Sequence, residues 1–259
     1  MSTRTLAGFA VDISGEGPAV ICVHGLGGTS NSFTPQLSAL AGMRVIRPDL
    51  PCSGRSPLSD APSVAGMAAA LARLADALEV KAAHFIGHSL GSLICQHLAS
   101  ERADLVRSLV LIGAIFEPSI PAREALRQRA KAVRTGGLSD VADAIIQNAL
   151  AVETRARQPL GVAFIRESVM RQSAEGYARL CEALAEARPA DHRRIGCPVM
   201  IVNGEEDAIA PPSMARLIAE RIAGTTLITL PRCGHWPTIE RVEEVNIELR
   251  GFLSRQKRP

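Results

Sequence analysis

A serine stands where the chain changes from an apolar, strand-like run to a helical pattern. Ser89 is the central residue of the motif GHSLG (residues 87–91), and the helical pattern SLICQHLAS follows this motif directly. Glycines two residues before and after the serine permit a sharp turn that exposes its hydroxyl, and the helix N-terminus favours a developing oxyanion. The spacing indicates that Ser89 is a nucleophile. The alternative is a glycine-rich turn whose serine caps the helix.

A base and an acid for this serine are available further along the chain. A serine hydroxyl is a poor nucleophile unless a histidine, itself oriented by a carboxylate, removes its proton. His235 follows the last apolar run in LPRCGHW, and Asp207 follows the preceding one in IVNGEED. Glu205 and Glu206 are alternative acids, but the loop favours the shorter side chain. We therefore predict that Ser89, Asp207 and His235 are catalytic, at the carboxyl ends of parallel strands.

A second glycine-rich turn lies near the start of the chain. The segment HGLGG (residues 24–28) directly follows the apolar run AVICV, and we expect His24 to hold this turn through backbone hydrogen bonds. The backbone N–H groups of Leu26 and Leu90 are the predicted oxyanion-hole donors. Losing one such donor typically lowers the rate by about 10²- to 10³-fold. His24 and Gly25 are also candidates for contacting the substrate.

The other histidines do not fit the position of a base. His88 is next to Ser89, but its side chain is expected to leave the turn on the opposite side. His84 and His97 fit the packing of a strand and a helix. His192 lies at the end of a helical region and is expected to be exposed.

Six short apolar runs alternate with helical patterns, which is typical of parallel strands joined by helices. The predicted strands are Ala19–His24, Met43–Arg47, Ala82–Gly87, Ser108–Ile112, Val199–Asn203 and Thr225–Leu230. The predicted helices include Ser63–Leu78, Pro211–Ile222 and Val242–Leu253. An N-terminal hairpin over Thr3–Ile13, turning near Ser14-Gly15, is also predicted. The pattern indicates an α/β fold.

The alternation stops between residues 117 and 194, where helical periodicity continues without a convincing strand. Prolines and glycines divide this interval into about four predicted helices. We interpret residues 117–194 as a helical lid inserted in a core formed by residues 1–116 and 195–259.

The lid carries an excess of basic over acidic residues, and all but one of its basic residues are arginines. Arginine suits bidentate recognition of carboxylates, so a carboxylated substrate is one interpretation. Arg134, Arg166 and Arg171 are the candidates for this contact, and Trp236 is a further candidate for substrate binding. The alternative interpretation is a solvated helical face with salt bridges.

Composition excludes several other classes of protein. The 259 residues are 47% hydrophobic and 21% charged, which is ordinary for globular domains and excludes a mainly disordered chain. A net charge of +3 is too small for a nucleic-acid-binding protein unless the charge is clustered. The sequence shows neither an apolar run long enough to span a membrane nor a secretory signal. We therefore expect a cytoplasmic protein that binds neither nucleic acid nor membrane.

Neither a metal nor a cofactor is predicted. The six cysteines are scattered without a CxxC pair, so we interpret them as buried thiols rather than as disulfides or zinc ligands. The glycines of HGLGG are similar to those of a nucleotide loop, but a Walker A loop would end in Gly-Lys-Ser/Thr. The expected partner is a small-molecule substrate, and we expect a monomer or a homodimer.

The motifs together resemble the α/β-hydrolase family over the whole chain. The resemblance rests on the oxyanion turn HGLGG, the segment RVIRPDLPCSGRS, the elbow GHSLG, the acid loop GEED and the histidine loop GHWPTIE. It implies a mostly parallel sheet with helices on both faces, an inserted helical lid and a Ser-His-Asp triad. Family members often carry glycine where this chain has Cys52. Asp49 in the same segment is interpreted as a structural hydrogen-bonding residue.

Within this family, a serine at the elbow implies acyl transfer to water, since haloalkane dehalogenases and epoxide hydrolases attack through a carboxylate. The segments EGYARLCEALAEA and IGCPVMIVNGEED are similar to the 3-oxoadipate enol-lactonase group, which hydrolyses a small carboxylated enol-lactone in aromatic catabolism. This resemblance implies hydrolysis of a small carboxylic ester or lactone through an acyl-enzyme on Ser89.

Other functions remain open. A general short-chain carboxylesterase or an acyl-homoserine lactonase fits the same motifs. A carbon–carbon bond hydrolase of aromatic ring-cleavage products shares the fold and the triad, although such enzymes often show GNSMGG where this chain has GHSLGS. A non-catalytic hydrolase-like receptor would usually have a broken triad, whereas all three positions are filled here.

Overall fold

A computed structural model describes residues 2–256, and these residues form one sheet of eight strands. The strands are β1 (Ser2–Leu6), β2 (Phe9–Ser14), β3 (Ala19–Val23), β4 (Arg44–Pro48), β5 (Ala83–His88), β6 (Val106–Ile112), β7 (Val199–Gly204) and β8 (Thr226–Leu230). Their order across the sheet is β1-β2-β4-β3-β5-β6-β7-β8. The strands from β3 to β8 are parallel, whereas β2 pairs antiparallel with β1 and β4. The predicted α/β class is confirmed, and the ends of the six predicted strands differ by one or two residues.

The strands are joined mainly by helices. Within residues 2–256 the α-helices are α1 (Val64–Ala77), α2 (Leu90–Glu101), α3 (Ile120–Gly136), α4 (Ser139–Ala149), α5 (Val152–Arg157), α6 (Pro159–Met170), α7 (Ala174–Ala185), α8 (Pro212–Ala219), α9 (Pro237–Glu240) and α10 (Val242–Arg255). Two 3₁₀ segments span Ser30–Gln36 and His192–Arg194. The Ser63 hydroxyl accepts a hydrogen bond from the Gly66 amide at 3.0 Å, so the residue expected to precede α1 is its N-cap.

The N-terminal hairpin turns earlier than predicted. Strands β1 and β2 are joined at Ala7 and Gly8 and not near Ser14-Gly15. The chain turns there because Ala7 and Gly8 have positive φ angles of 50° and 85°. Positive φ at both central residues is what the tightest hairpin turns require. Ser14 remains in β2 and pairs with Val45 of β4. The hairpin therefore adds two antiparallel strands to one edge of the parallel sheet.

Both faces of the sheet are covered by helices. Ile21 and Val23 belong to the apolar cluster that includes residues of α1, α2 and α8. Val20 and Cys22 of the same strand belong to the cluster that includes residues of α10 and of the 3₁₀ segment Ser30–Gln36. Successive side chains of a strand point to opposite faces, so a strand covered on both sides is apolar throughout. This explains the unbroken apolar runs in the sequence.

The lid segment (residues 117–194) lies between β6 and β7 and contains α3 to α7. It holds five helices within the described chain, where about four were predicted. The additional helix is the short α5, which ends at Arg157 because Pro159 begins α6 two residues later. Helix α3 packs along α7 and buries Leu126, Ala130 and Val133. The lid segment is therefore a layer of helices that pack on one another and join the apolar cluster of the core.

The described helices fall short of the length and apolar character that crossing a membrane requires. Cys197 is half-buried, and the other five cysteines are buried and free. Burial raises the pKa of the Cys22 thiol to about 12, so this thiol stays protonated at neutral pH.

Candidate active site

Ser89 lies in a strained turn between β5 and α2. Its backbone has φ 53° and ψ −119°, in the half of φ space that residues with a side chain avoid. Strain of this kind is retained where it presents a reactive group. The Ser89 amide donates to the Ile112 carbonyl at 2.9 Å, and α2 begins at the next residue. The amino end of α2 therefore lies beside the serine.

The two glycines of the elbow motif are required by close backbone contacts. A Cβ atom on Gly87 would lie 2.4 Å from the Gly91 carbonyl oxygen. A Cβ atom on Gly91 would lie 2.1 Å from the Val23 carbonyl oxygen. Both distances are far below van der Waals contact, so no side chain fits at either position. The GxSxG spacing therefore follows from close contacts within the turn, at Gly87, and between the turn and β3, at Gly91.

Ser89, His235 and Asp207 are joined by two hydrogen bonds. Ser89 Oγ lies 2.8 Å from His235 Nε2, and His235 Nδ1 lies 2.8 Å from Asp207 Oδ2. A carboxylate only accepts hydrogen bonds, so Nδ1 carries the proton and the lone pair of Nε2 faces the serine hydroxyl. Both His235 and Asp207 are buried. The arrangement can remove the proton of Ser89 while its oxygen attacks a carbonyl carbon.

Asp207 is oriented by its own loop. Its Oδ1 accepts hydrogen bonds from the Ile209 and Ala210 amides at 2.9 and 2.8 Å, which leaves Oδ2 for His235. Asn203, at the end of β7, donates from Nδ2 to the Ala210 carbonyl at 2.6 Å. No sequence pattern singled out Asn203, because it follows the apolar residues of β7 like any strand-end residue.

The two alternative acids lie elsewhere. Glu206 accepts a hydrogen bond from the Val152 amide of the lid segment at 3.1 Å, and Glu205 is exposed. Within the described residues neither carboxylate is hydrogen-bonded to His235. The structure therefore brings Asp207, and not its neighbours, to the histidine.

The buried carboxylate of Glu240, the last residue of the motif GHWPTIE, holds the histidine loop, a role that the sequence analysis did not assign to it. Its Oε1 accepts a hydrogen bond from the Trp236 amide at 2.9 Å, and its Oε2 accepts one from the Gly234 amide at 3.1 Å. The same Oε2 accepts hydrogen bonds from the Ala151 amide at 2.9 Å and the Thr154 hydroxyl at 2.7 Å. One carboxylate therefore ties the loop that carries the histidine to the lid segment.

A further hydrogen bond joins the same two parts of the chain. The His235 amide donates to the carbonyl of Ala149, the last residue of α4, at 2.7 Å. The side chain of Glu240 is buried, although in sequence it resembles the exposed Glu243 and Glu244 that follow it. In the sequence, only the position of Glu240 six residues after Gly234, in the loop that carries the histidine, could have suggested its role.

His24 is fully buried with both ring nitrogens engaged. Its Nδ1 donates to the Gly25 carbonyl at 2.8 Å, and its Nε2 accepts from the Leu50 amide at 2.9 Å. Burial lowers the pKa of His24, so the ring is neutral. These contacts agree with a role in holding the turn and contradict substrate contact by His24. Gly25 packs its backbone against Ser89, where a Cβ atom would come within 2.8 Å of the serine Cβ, and it does not line the cavity described below.

The remaining histidines are structural, and one of them is not where it was expected. His84 Nδ1 lies 2.8 Å from the Ser108 hydroxyl in the sheet, and His97 Nε2 donates to the Arg188 carbonyl at 3.0 Å. His192 was expected to be exposed but is buried, because its 3₁₀ segment packs on α2. There its Nε2 donates to the Gln96 side-chain oxygen at 2.8 Å.

The amides of Leu26 and Leu90 are available for an oxyanion. Leu90 is the first residue of α2, so its amide has no acceptor within the helix. Leu26 lies inside the turn that the Gly28 amide closes on the Gly25 carbonyl at 3.0 Å. Among residues 2–256 neither amide donates a hydrogen bond to a protein group. The two turns meet at Ser89, against which the Gly25 backbone packs.

A cavity of about 420 Å³ opens on Ser89 and His235 beneath the lid segment. Its size lies within the range of small-molecule sites. Most of its wall is apolar, and this part includes Leu26, Leu126, Ile145, Leu184, Met214 and Trp236. Trp236 is therefore placed where a substrate would contact it.

The three arginines predicted to contact a substrate do not line this cavity. They make ion pairs at the surface of the lid segment instead: Arg134 with Glu175 and Glu182, Arg166 with Asp143, and Arg171 with Glu167. The prediction is wrong for these three residues, since the helix faces that carry them point to solvent. A solvated face with salt bridges, the alternative interpretation, describes them. The arginine in the cavity wall is Arg129.

The segment around Asp49 supports the oxyanion turn. Asp49 accepts hydrogen bonds from the Ser30 amide at 2.7 Å and from the backbone and side chain of Arg55 at 3.0 and 2.8 Å, a structural role. Cys52 has a φ of 68°, which suits the glycine often found at this position. Its Sγ accepts a hydrogen bond from the Ser59 amide at 3.1 Å. The loop thus keeps the left-handed conformation despite carrying a side chain.

Comparisons with known proteins match nearly the whole chain. A family model described as alpha/beta hydrolase fold matches residues 18–242. Pyrrolizixenacetamide deacetylase of Xenorhabdus hominickii is 31% identical over 252 residues, which cover 93% of this chain and 92% of that protein. A thermophilic esterase from Thermogutta terrifontis superposes with a TM-score of 0.91 at 28% identity, and the match covers 96% of this chain and 94% of the esterase chain. The enol-lactonase from Burkholderia xenovorans LB400 has a TM-score of 0.91 at 27% identity, covering 98% of this chain and 100% of its own.

Proposed function

The chain belongs to the α/β hydrolase fold family and is a hydrolase, and from this premise we propose that it cleaves a small carboxylic ester or lactone through an acyl-enzyme on Ser89. The observation that carries the proposal is the pair of 2.8 Å hydrogen bonds from Ser89 to His235 and from His235 to Asp207. These groups lie at a cavity of small-molecule size. A serine at the elbow supports acyl transfer rather than attack by a carboxylate.

The reaction proceeds in two stages. His235 Nε2 takes the proton of Ser89 as Oγ attacks the substrate carbonyl, and the oxyanion accepts hydrogen bonds from the Leu26 and Leu90 amides. His235 then returns the proton to the leaving oxygen, and the acyl-enzyme remains. In the second stage His235 activates a water that hydrolyses the acyl-enzyme. Asp207 keeps the imidazole in the required tautomer and stabilises its protonated form.

A small carboxylated lactone such as 3-oxoadipate enol-lactone is the proposed substrate. The structural similarity to an enol-lactonase supports this choice, and the volume of about 420 Å³ supports a compact substrate. A general short-chain carboxylesterase is the second candidate, because most of the cavity wall is apolar and would receive an alkyl acyl chain.

The test is steady-state hydrolysis of 3-oxoadipate enol-lactone and of 4-nitrophenyl butyrate by wild type, Ser89→Ala and Ser100→Ala. Ser100 lies near the other end of α2, where its hydroxyl donates to the His97 carbonyl at 2.9 Å. It therefore controls for the loss of a serine from the same helix. We expect Ser89→Ala to lower kcat by at least about 10⁴-fold on both compounds and Ser100→Ala to keep the wild-type rate.

The outcomes separate the candidates. A preference for the lactone of several orders of magnitude supports the enol-lactonase activity, whereas turnover of the ester alone supports the carboxylesterase. Equal activity of wild type and Ser89→Ala contradicts the acyl-enzyme. If neither compound is hydrolysed, a dienone from aromatic ring cleavage is the next substrate to measure, because a carbon–carbon bond hydrolase uses the same groups.

A further inference from the structure

One arginine in the cavity wall has no ionic partner within the part of the chain that the structure describes. Arg129 of α3 and Glu117 are the only Arg, Lys, Asp or Glu side chains of the described chain that line the cavity. Glu117 is neutralised by Arg123, whose guanidinium lies 2.9 Å from its carboxylate. Arg129 forms no ion pair with any carboxylate of residues 2–256. The mainly apolar cavity therefore holds one uncompensated positive charge.

The hydroxyl of Tyr177 is a second polar group in the same wall, and it has no acceptor among residues 2–256. Tyr177 of α7 is 1% exposed and lines the cavity, and within the described residues its Oη has no hydrogen-bond partner of normal length and angle. Burial raises the pKa of Tyr177, and Arg129, through its charge and as a hydrogen-bond donor close to the phenol oxygen, only partly opposes that rise. Arg129 can only donate, so within the described residues the hydroxyl proton still has no acceptor. The phenol is thus protonated and can donate a hydrogen bond. A buried hydroxyl without an acceptor is costly unless a ligand supplies one.

Tyr177 lies on the side of the cavity next to the oxyanion turn, and Arg129 lies near its hydroxyl. A Cβ atom on Gly27 would lie 3.4 Å from Cε2 of Tyr177, and Gly27 directly follows Leu26. The cavity-lining residues of α3 recur at helical spacing, so they share one face of the helix: Ala122, Ala125, Leu126 and Arg129. The guanidinium is the charged end of an otherwise apolar wall.

We propose that Arg129 and Tyr177 form a subsite for a carboxylate carried by the substrate, separated by a short hydrocarbon spacer from the carbonyl that Ser89 attacks. This inference rests on the proposed function, because it concerns the same cavity. A carboxylate accepts two hydrogen bonds from a guanidinium and a further one from a phenol, so it satisfies both groups at once. The apolar residues that line the same cavity suit the spacer. The substrate class is therefore a monoester, or a carboxylated lactone, derived from a dicarboxylic acid.

The test compares two charged esters, mono-4-nitrophenyl adipate and mono-4-nitrophenyl pimelate, with their neutral methyl esters. The enzymes are wild type, Arg129→Gln, Arg129→Lys and the control Arg127→Gln. Arg127 lies on the same helix but pairs with Glu186 in an exposed position. We expect wild type to prefer the charged esters at least ten-fold in kcat/KM. Arg129→Gln should lower kcat/KM for them by about 10- to 100-fold, mainly through KM, while Arg129→Lys restores part of it.

A second variant separates substrate binding from folding. Tyr177→Phe removes a buried hydroxyl that has no acceptor among the described residues, so the midpoint of thermal unfolding should stay the same or rise. The KM for the charged esters should nevertheless increase several-fold, with the neutral esters unaffected. A drop in the midpoint together with an equal loss on both kinds of ester would assign Tyr177 to packing alone and contradict its part in the subsite.

The remaining outcomes distinguish the subsite from the proposed function. Equal kcat/KM for charged and neutral esters in wild type, or an equal loss on both in Arg129→Gln, overturns the subsite while leaving the role of Ser89 intact. If wild type hydrolyses no ester, the proposed function fails, and calorimetric titration with adipate decides the subsite. Binding that Arg129→Gln weakens ten-fold or more supports it, and absent or equal binding overturns it.

Discussion

The ring of His88 donates a hydrogen bond from Nε2 to the backbone carbonyl of His235 at 2.7 Å. A carbonyl only accepts, so Nε2 carries the proton, and the buried Nδ1 has no partner among the described residues. Burial, followed by the effect of the neighbouring His235, lowers the pKa of His88 to about 3. His88 is therefore a neutral support for the loop that carries the proposed base.

We expect His88 to make folding stability depend on pH. Its pKa is about 3 in the folded protein against an ordinary value of 6.5, so the unfolded chain binds more protons between these values. His88 contributes fully to the free energy of unfolding above pH 6.5. This contribution decreases as the pH falls, and the loss amounts to about 2 kcal/mol at pH 5. Urea unfolding of wild type and His88→Gln at pH 7.5 and pH 5 measures this loss.

The His88→Gln variant should lose about 2 kcal/mol less than wild type between the two pH values. Glutamine can still donate a hydrogen bond to the His235 carbonyl, so the loop keeps its support. Burial also lowers the pKa values of His24 and of His192, the latter to about 4. Both remain in the two proteins, and their effects cancel. An identical loss in the two proteins would show that His88 is not the neutral, buried group described above.

Replacing Asp207 by asparagine should lower kcat by about 10⁴-fold with little change in stability. The amide would favour the tautomer whose Nε2 is protonated, which cannot accept the proton of Ser89. Glu206→Gln is the matched control, because Glu206 contacts the Val152 amide instead of His235. Single-turnover hydrolysis of an activated ester measures both variants. A larger loss in Glu206→Gln than in Asp207→Asn would reassign the acid.

Gly91→Ala should destabilise the fold by at least about 3 kcal/mol, since the new Cβ atom would meet the Val23 carbonyl oxygen at 2.1 Å. Gly136→Ala is the opposite case. Gly136 ends α3 with nothing within 4 Å of a Cβ atom, so alanine should stabilise by roughly 0.5–1 kcal/mol. Urea denaturation midpoints compare the two. A tolerated alanine at position 91 would mean that the elbow does not press on β3.

Glu240→Gln should destabilise the protein by roughly 1–3 kcal/mol, because an NH₂ group would face the donors that now surround the carboxylate. Glu244→Gln, at an exposed position on α10, should change stability by less than about 0.5 kcal/mol. Guanidinium unfolding gives both values. In hydrogen exchange, the amides of Gly234 and Trp236 should lose protection in Glu240→Gln alone. Unchanged protection there would separate Glu240 from the histidine loop.

The sheet could be predicted because its central strands are buried on both faces. Strands such as β3 and β7 are continuous apolar runs, and the helices between them follow capping residues such as Ser63. The N-terminal hairpin was predicted, but its turn was placed wrongly, because Ala7, one of the two turn residues with positive φ, is not a residue type that favours this conformation. Ser14 and Gly15 are residue types typical of turns, so the turn was predicted there instead.

The site could be predicted in proportion to how local its geometry is. Ser89 and its two glycines form a short-range motif, so their spacing in the sequence is enough to predict the turn. The choice among the lid arginines depends on which helix face turns inward, and that is decided by the packing of α3 against α7 rather than by residue type. Arg129 was therefore not distinguished from Arg134. Glu240 was missed for a similar reason, since two of its four donors, the Ala151 amide and the Thr154 hydroxyl, come from residues far away in the chain.

The ties between Glu240, the His235 amide and residues 149–154 have a consequence for exchanging lids between relatives. A chimera cut near residues 117 and 194 would treat the intervening helices as a replaceable cover. Here those helices supply the Ala149 carbonyl and two of the donors that seat the histidine loop. A grafted lid without an equivalent carbonyl, amide and hydroxyl would supply a new pocket but would not hold the histidine loop. His235 would then no longer point at Ser89.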